Sequence, residues 1–577
     1  MDQFPTMACA NWKDGGEICP LEGKFACAGC KLVVYCGSDC QKKHWSEHKK
    51  QCNSPLRKES WRPSYDREKR QPVQYSRDPS SYPLGAYMGL WGRTPAMDIL
   101  RLHDNEGQNY NKSISILFAA SGDLRNVVKT IRDLNDNLQI TIAINDGYSD
   151  TTIRNAILLL LVLVSLDEES EKPNIELLAE DMMHIWYSSM LTKHTLSRLQ
   201  SKVKPLISEV CGGISNKTSC TYLEKLWRFE SKCTLRLTLK EKDWVRALTF
   251  FEIPEHLTAE KAQELRHAIV LAPEGQDKRE NRAFRDVSTS MRVAKQRYEE
   301  DGMLLPFGHP RVGFEYPNPT IFQTTHGWPM CPGASPLVGW LIKDVRPTLC
   351  RAPEDLYGKL YFYIRNVLCS FIRKLAAGNI HLELSDNDLG ELRPSHDEKY
   401  DRIEASNMAD KDELGTKETL ASLAPLLKSP EVNPHATLIT IYLLAVRGVN
   451  GGDIWKNPED VITSSPMAHV ASHYLKDMVW QLTISGFSQC DHSRFWASYY
   501  RLLPAKEYFC HYMATENFPQ IAERLGVAIK EKNTIGDQWP TGLKIPREQP
   551  GDHKEFAWLL ASTYYGCERR AEWKRVR

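Results

Sequence analysis

Net charge is nearly absent from this chain of 577 residues, and that absence narrows its partners. Lys and Arg number 74 against 73 Asp and Glu, a formal net charge of +1. Such a balance makes no global field toward nucleic acid or an anionic membrane surface, so neither partner is expected. Long hydrophobic runs are missing too. The longest, Ala156 to Val164, has nine residues; a spanning helix needs roughly 20, so this run reads as buried core. The opening residues lack the charged start and apolar core of a secretory signal. No G-x4-G-K-S/T phosphate loop and no short repeat occur. An intracellular, reducing setting is expected, in cytoplasm or nucleus.

What the sequence does have is cysteine at one end. Seven of its sixteen cysteines fall in the first 52 residues, in the order Cys9, Cys19, Cys27, Cys30, Cys36, Cys40, then His48 and Cys52. The others, from Cys211 to Cys567, are scattered without a pairing pattern, which argues against a disulfide framework. Thiolates and neutral imidazole are ligands of Zn²⁺, and a closed structural site takes four of them. Eight ligands make two complete sets. A segment of about 50 residues buries too little apolar surface to fold unaided, so metal would replace the missing core. Cys27-Ala28-Gly29-Cys30 puts two thiols on one tight turn. Cys36-Gly37-Ser38-Asp39-Cys40 leads into a helix on which His48 and Cys52 stand four apart, on one face. His44 shares that stripe and is the rival ligand, ranked second because His48 has the expected spacing to Cys52.

From Cys27 to Cys52 the text closely resembles a MYND-type zinc finger, through its C-x2-C, Tyr35-Cys36-x3-Cys40-Gln41 and Trp45-x2-His48-x3-Cys52 order. In that family the ligand pairs interleave. The resemblance therefore implies Cys9, Cys19, Cys36 and Cys40 around one zinc, and Cys27, Cys30, His48 and Cys52 around the other. One departure stands out: the first pair is usually C-x2-C, but nine residues separate Cys9 from Cys19. Sites saturated by protein ligands have no open position for water, so both ions would be structural. The resemblance further implies a docking surface for partner proteins, commonly for proline-containing segments. Trp45, Lys42, Lys43, Lys49 and Lys50 could line it; Trp45 has a second reading as part of the finger's small core.

Beyond the finger (residues 1–53), residues 54–90 are rich in Pro, Arg, Ser and Tyr and read as a linker. Residues 91–166 hold a strand from Ile114, a turn at Ser121-Gly122-Asp123, a helix with Leu124, Val127, Val128 and Ile131 on one face, and a second strand ending at Asn145-Asp146. Strand, turn, helix, strand, acid is the opening of a doubly wound α/β sheet. Residues 167–370 read as a mainly helical insertion containing a Pro/Gly/aromatic loop, 306–340, expected to be ordered over the ligand cleft. Residues 371–450 resume the sheet with strands at His381–Leu384, Tyr400–Ala405 and Ala436–Val446. Residues 451–577 read as a helical C-terminal region with Trp455, Trp480, Trp496, Tyr499 and Tyr500.

The strand at His381–Leu384 followed by Asp386, and the Tyr400-Asp401-Arg402-Ile403 strand closing on Ser406-Asn407, resemble the middle of a class I methyltransferase. Together with Trp91-Gly92, Asn105-Glu106-Gly107, Gln323–Pro329 and Asn433–Thr437, they resemble a fungal family that joins a MYND finger to a methyltransferase-like domain of unknown function. That domain also occurs in axonemal dynein assembly factors. The resemblance implies a split Rossmann-type sheet, with Gly122, Asp123, Asp146 and Asp386 as candidate residues for S-adenosylmethionine. The turn Ala119-Ala120-Ser121-Gly122-Asp123 has one glycine where active enzymes of the class carry G-x-G-x-G, so backbone approach to a cofactor is crowded. Asp146, Asp386 and Asn407 also have a plain reading, as side chains that satisfy loop backbone. His326 is a candidate base or a structural histidine. Two functions follow: a zinc-finger adapter with a degenerate methyltransferase-like domain, or an S-adenosylmethionine-dependent methyltransferase directed to its substrate by the finger. No catalytic residue is assigned.

Overall fold

The computed structural model describes residues 4–13, 17–70, 89–107, 109–135, 138–168, 174–280, 284, 287–392, 399–443, 445, 468–476, 498, 501–502, 505–562, 566 and 568–576. Two compact units divide the chain. One comprises Met1–Pro95, Ile157–Thr221 and Lys240–Arg373; the other comprises Ala96–Ala156, Tyr222–Leu239 and Lys374–Arg577.

The second unit is built on nine strands: β1 (Ile114–Phe118), β2 (Ile140–Asn145), β3 (Tyr222–Arg228), β4 (Thr234–Lys240), β5 (Ile380–Ser385), β6 (Arg402–Glu404), β7 (Thr437–Tyr442), β8 (Val527–Ile529) and β9 (Arg569–Arg575). Across the sheet they run β8-β9-β7-β6-β1-β2-β5-β4-β3. From β7 to β4 every pairing is parallel, whereas β9 is antiparallel to both β7 and β8. Leu235, Leu382, Ile142 and Ile116 face one another in register and are fully buried. All six residues of β7 are buried, as a central strand covered on both faces must be. One core contains Leu117, Ile403, Leu438, Tyr442 and Trp573, packed with Leu420 and Leu423 of the helix Thr416–Leu423 and with Phe509, Tyr512 and Phe518. Among β1, β2, β5, β6 and β7 the spatial order is third, second, first, fourth, fifth, so winding reverses between β1 and β6.

Two regions expected to be helical supply strands to this sheet. β3 and β4 come from within residues 167–370, and β8 and β9 from within 451–577. β4 alternates strictly, with Leu235, Leu237 and Leu239 buried and their neighbours half-buried, a period of two carried inside a charged region. β9 is harder to read, because five of its seven residues are charged. Its Glu572 is fully buried, yet it accepts N–H bonds from Thr534, Ile535 and Gly536 at 2.8–2.9 Å and an ion pair from Lys530 at 3.4 Å. The aromatics Trp455, Trp480, Trp496, Tyr499 and Tyr500 lie outside the described residues, as does Val446.

In the first unit the finger is seated on a helical body. The Trp12 indole N–H donates to the Gly308 carbonyl (2.9 Å), Ser290 Oγ to the Cys30 carbonyl (3.2 Å), and Glu354 N–H to the Lys31 carbonyl (3.2 Å). A side chain at Gly308 would press within 3.1–3.3 Å of Ala10 and Val33. The loop 306–340 thus packs on the finger, and its Phe314–Pro317 pairs antiparallel with Met190–Thr192. The stretch after the finger is packed as well, in contrast to the linker expected over 54–90. Pro55–Arg57 and Ser64–Glu68 are helical turns, Tyr65 is fully buried, and Arg292 stacks on Trp61 while donating to the Leu56 and Lys58 carbonyls. Residues 71–88 of that stretch lie outside the described ones. The apolar run Ala156 to Val164 sits in the helix Ser149–Glu168, which is long and apolar enough to cross a membrane by composition and has 83% of that window buried inside the protein.

Candidate metal centre

The finger is a hairpin and a helix with very little else: Phe25–Ala26 pairs antiparallel with Val34–Tyr35, and Ser38–Cys52 is the helix. The C-A-G-C knuckle turns through Lys31, which takes a left-handed φ of 56°. A side chain at Gly29 would crowd the site, since a Cβ would come 3.1 Å from Cys52 Sγ. The first turn of the helix carries Cys40; its buried stripe ends on His48 and Cys52.

These elements bring the ligands together in two groups, Cys9, Cys19, Cys36 and Cys40 in one, and Cys27, Cys30, His48 and Cys52 in the other, with the ligand atoms of each group within 4.8 Å of one another. A tetrahedron with Zn–S bonds of about 2.3 Å has edges of about 3.8 Å. Here the Cys19–Cys36 and Cys19–Cys40 sulfurs are 3.8 and 3.7 Å apart, Cys27–Cys52 4.0 Å, and Cys30 Sγ to His48 Nε2 3.4 Å. Those separations match the edges of zinc tetrahedra, and the donor chemistry fits two structural ions. The sulfurs are not bonded to one another at these separations. His44 stays outside: its Nδ1 bonds the Tyr35 hydroxyl at 3.0 Å.

Burial, aided by the neighbouring His44 and the Arg57 guanidinium, pulls His48 down to about 4, so it is neutral at physiological pH as a metal ligand must be. Burial pushes the Cys30 thiol up to about 12, which a dication would reverse by taking the thiolate. The second group is wholly buried, whereas Cys19, Cys36 and Cys40 of the first are half-buried. Sulfur-directed donors complete both shells: Leu32 N–H to Cys30 and Cys36 N–H to Cys9, each at 3.4 Å, Asn11 Nδ2 to Cys40 at 3.3 Å, and the Arg57 guanidinium to Cys52 at 3.7 Å. Arg57 also donates to the Cys52 and Gly29 carbonyls. Sequence reading missed Asn11 and Arg57, and no spacing rule would have found them. On the outer helix face Trp45 is 41% exposed, beside exposed Lys42, Lys43, Lys49 and Lys50.

In the sheet unit, the candidate cofactor residues cluster at the carboxyl ends of β1, β2 and β5. Gly122 has the left-handed φ of 56° that suits glycine. Its N–H donates to Asp146 Oδ2 at 2.8 Å, and the other Asp146 oxygen accepts from Tyr148 N–H at 3.0 Å. Asp123 pairs with Arg125 at 2.5 Å, both buried. Asn145 ties three strand ends together, donating to the Ala119 and Asn387 carbonyls and accepting from Ser385 Oγ and Asn387 N–H. Asn155 donates to the Gly122 carbonyl (2.7 Å), and Asp386 is buried after β5. Asn407 donates to Glu413, and His326, in the other unit, is exposed. Beside β1, Glu404 ends β6; burial pushes its carboxyl up to about 7.

Comparison with known proteins adds two family matches. The MYND finger model covers residues 15–52, and the model of a domain of unknown function, DUF4470, covers residues 90–191. No curated protein and no solved structure matches. Cys9 lies outside the matched stretch yet closes the first tetrahedron. Residues 15–52 are therefore a MYND finger, a protein-interaction module, carried here on two zinc-binding clusters.

Proposed function

We propose that this protein is a zinc-stabilised adapter, in which the MYND finger docks a protein partner and a methyltransferase-like sheet serves as scaffold in an assembly or regulatory role. One observation carries the reading: both zinc tetrahedra are filled by protein ligands, leaving no position for water or substrate. Proline-containing segments of intracellular partners are the favoured occupants, and the exposed Trp45 supports an open docking face.

The methyltransferase-like reading of the sheet is supported by its strand order, reversing between β1 and β6, and by the antiparallel final strand. The wider resemblance to fungal MYND proteins and dynein assembly factors favours assembly over chemistry. The scaffold reading is supported by the turns themselves. The Gly122 N–H, which would face a cofactor, is taken by Asp146 Oδ2, and the other Asp146 oxygen accepts from Tyr148 N–H, so the turn is closed on itself. The Asp123 carboxylate, which would oppose a cofactor carboxylate, is held in the turn by Arg125. These contacts favour the scaffold over a bound S-adenosylmethionine. The second reading, a methyltransferase guided by the finger, is favoured by one feature: the buried Glu404, its carboxyl pushed up by burial, at the reversal point where such folds bind ligands.

Calorimetric titration of the full chain with S-adenosylmethionine separates the two. The adapter reading expects no heat of binding. Tight binding that disappears in Asp146→Ala would replace it with the enzyme.

A further inference from the structure

A third group of metal-ligating side chains stands in the sheet unit, more than 400 residues after the finger. His473 lies on the helix Ala468–Tyr474, while Asp552 and His553 open the helix Asp552–Ala561. One ligand atom from each of the three lies within 4.8 Å of the other two. His473 Nε2 is 2.8 Å from Asp552 Oδ2, and the His473 and His553 ring centres are 4.4 Å apart. Bonds of about 2.1 Å to nitrogen and oxygen put neighbouring ligand atoms roughly 3.0–3.4 Å apart, so the His473–Asp552 pair would open from 2.8 Å and His553, within 4.8 Å, would close in to share an ion.

Asp552 is held in position from behind. Its Oδ2 accepts from Glu548 N–H at 2.8 Å and its Oδ1 from His553 N–H at 2.6 Å, the kind of support that orients a ligating carboxylate. Tyr474 packs on both imidazoles, at 4.7 and 5.4 Å, and fixes their planes. His469 stands one turn before His473 on the same helix, an H-x3-H spacing. A simple ion pair would need one imidazole; the His553 ring nitrogen, within 4.8 Å of both partners, supplies the third ligand. His473 is 20% exposed and His553 is exposed, so an ion can enter and keep water in its open position.

We propose that His473, Asp552 and His553 bind one divalent transition metal of the zinc class, with water as fourth ligand, pinning together two helices 79 residues apart in sequence. Two imidazoles and a carboxylate suit Zn²⁺ and its neighbours and disfavour Mg²⁺ and Ca²⁺. The centre is independent of the finger and of the adapter reading.

The test compares the metal content of full-length wild type and His553→Ala after saturation with zinc sulfate and dialysis. Because His553 is exposed, its truncation leaves the fold intact, which far-UV circular dichroism checks. The expected result is one zinc fewer per chain in the variant. With cobalt substituted for zinc, the thiolate-to-cobalt charge-transfer bands of the finger stay unchanged while one cobalt is lost. Equal metal content in the two proteins would overturn the proposal. So would a loss confined to the thiolate bands.

Discussion

The finger and the sheet hold their shape by opposite means. In the finger the strands are two residues long and the helix buries only His48 and Cys52, both metal ligands. In the sheet unit, β7 is buried at every position and a contiguous core reaches from Leu117 to Trp573. The difference is one of reversibility. A chelator or a proton can dissolve the first, whereas the second yields only to loss of packing.

The largest way to break that comparison is to remove a ligand. Cys27→Ser should lose the buried zinc, whose binding is worth about 10–16 kcal/mol in structural sites. Limited proteolysis should then cut the first 52 residues while the sheet unit keeps its thermal transition. Acid should also act on the finger, through its histidine ligand. An unfolded histidine takes up its proton near 6.5 but folded His48 only near 4, so the unfolded state binds more protons between those values. Stability complete above about 6.5 is therefore lost as the pH falls toward 4. With zinc bound, protons compete with the metal for the thiolates and His48, so zinc release followed with a colorimetric chelator should rise as the pH falls, and zinc held undiminished in acid would contradict it.

In the sheet, Trp573→Ala should cost about 3–5 kcal/mol in a denaturant melt without changing metal content. Its indole also loses a 3.0 Å bond to Thr440. Glu106→Ala strands the fully buried Arg402 guanidinium, its partner at 2.8 Å, and should cost about 3 kcal/mol. The smallest effect tests the supporting contacts of the finger. Arg57→Ala should weaken zinc retention roughly 10–100-fold in a chelator competition while leaving the stoichiometry intact.

Several motif residues that carried the wider resemblance turn out to be braces. Glu106, Asp401, Arg402 and Asn433 form one buried network: Asn433 donates to Asp401 at 2.8 Å and to Glu106 at 3.1 Å, and Lys428 pairs with Asp401 at 2.8 Å. A motif can thus be read correctly as a pattern and still say nothing about whether it binds or supports.

By itself the sequence determined what is local. The zinc ligands, the helix that presents His48 and Cys52, and the strand-turn-helix-strand from Ile114 to Asn145 follow from spacing and periodicity over a few residues, where backbone geometry leaves few choices. Tertiary structure decided the rest. β9 becomes a strand although five of its seven residues are charged, because Lys530 and three backbone N–H groups satisfy Glu572 from outside the strand. Asp146 turns inward for a similar reason. Its position at a strand end is local, but the Gly122 N–H that claims its carboxylate comes from the neighbouring turn. Burying a charge is tolerable only where partners from distant chain already wait, and no short window of sequence contains them.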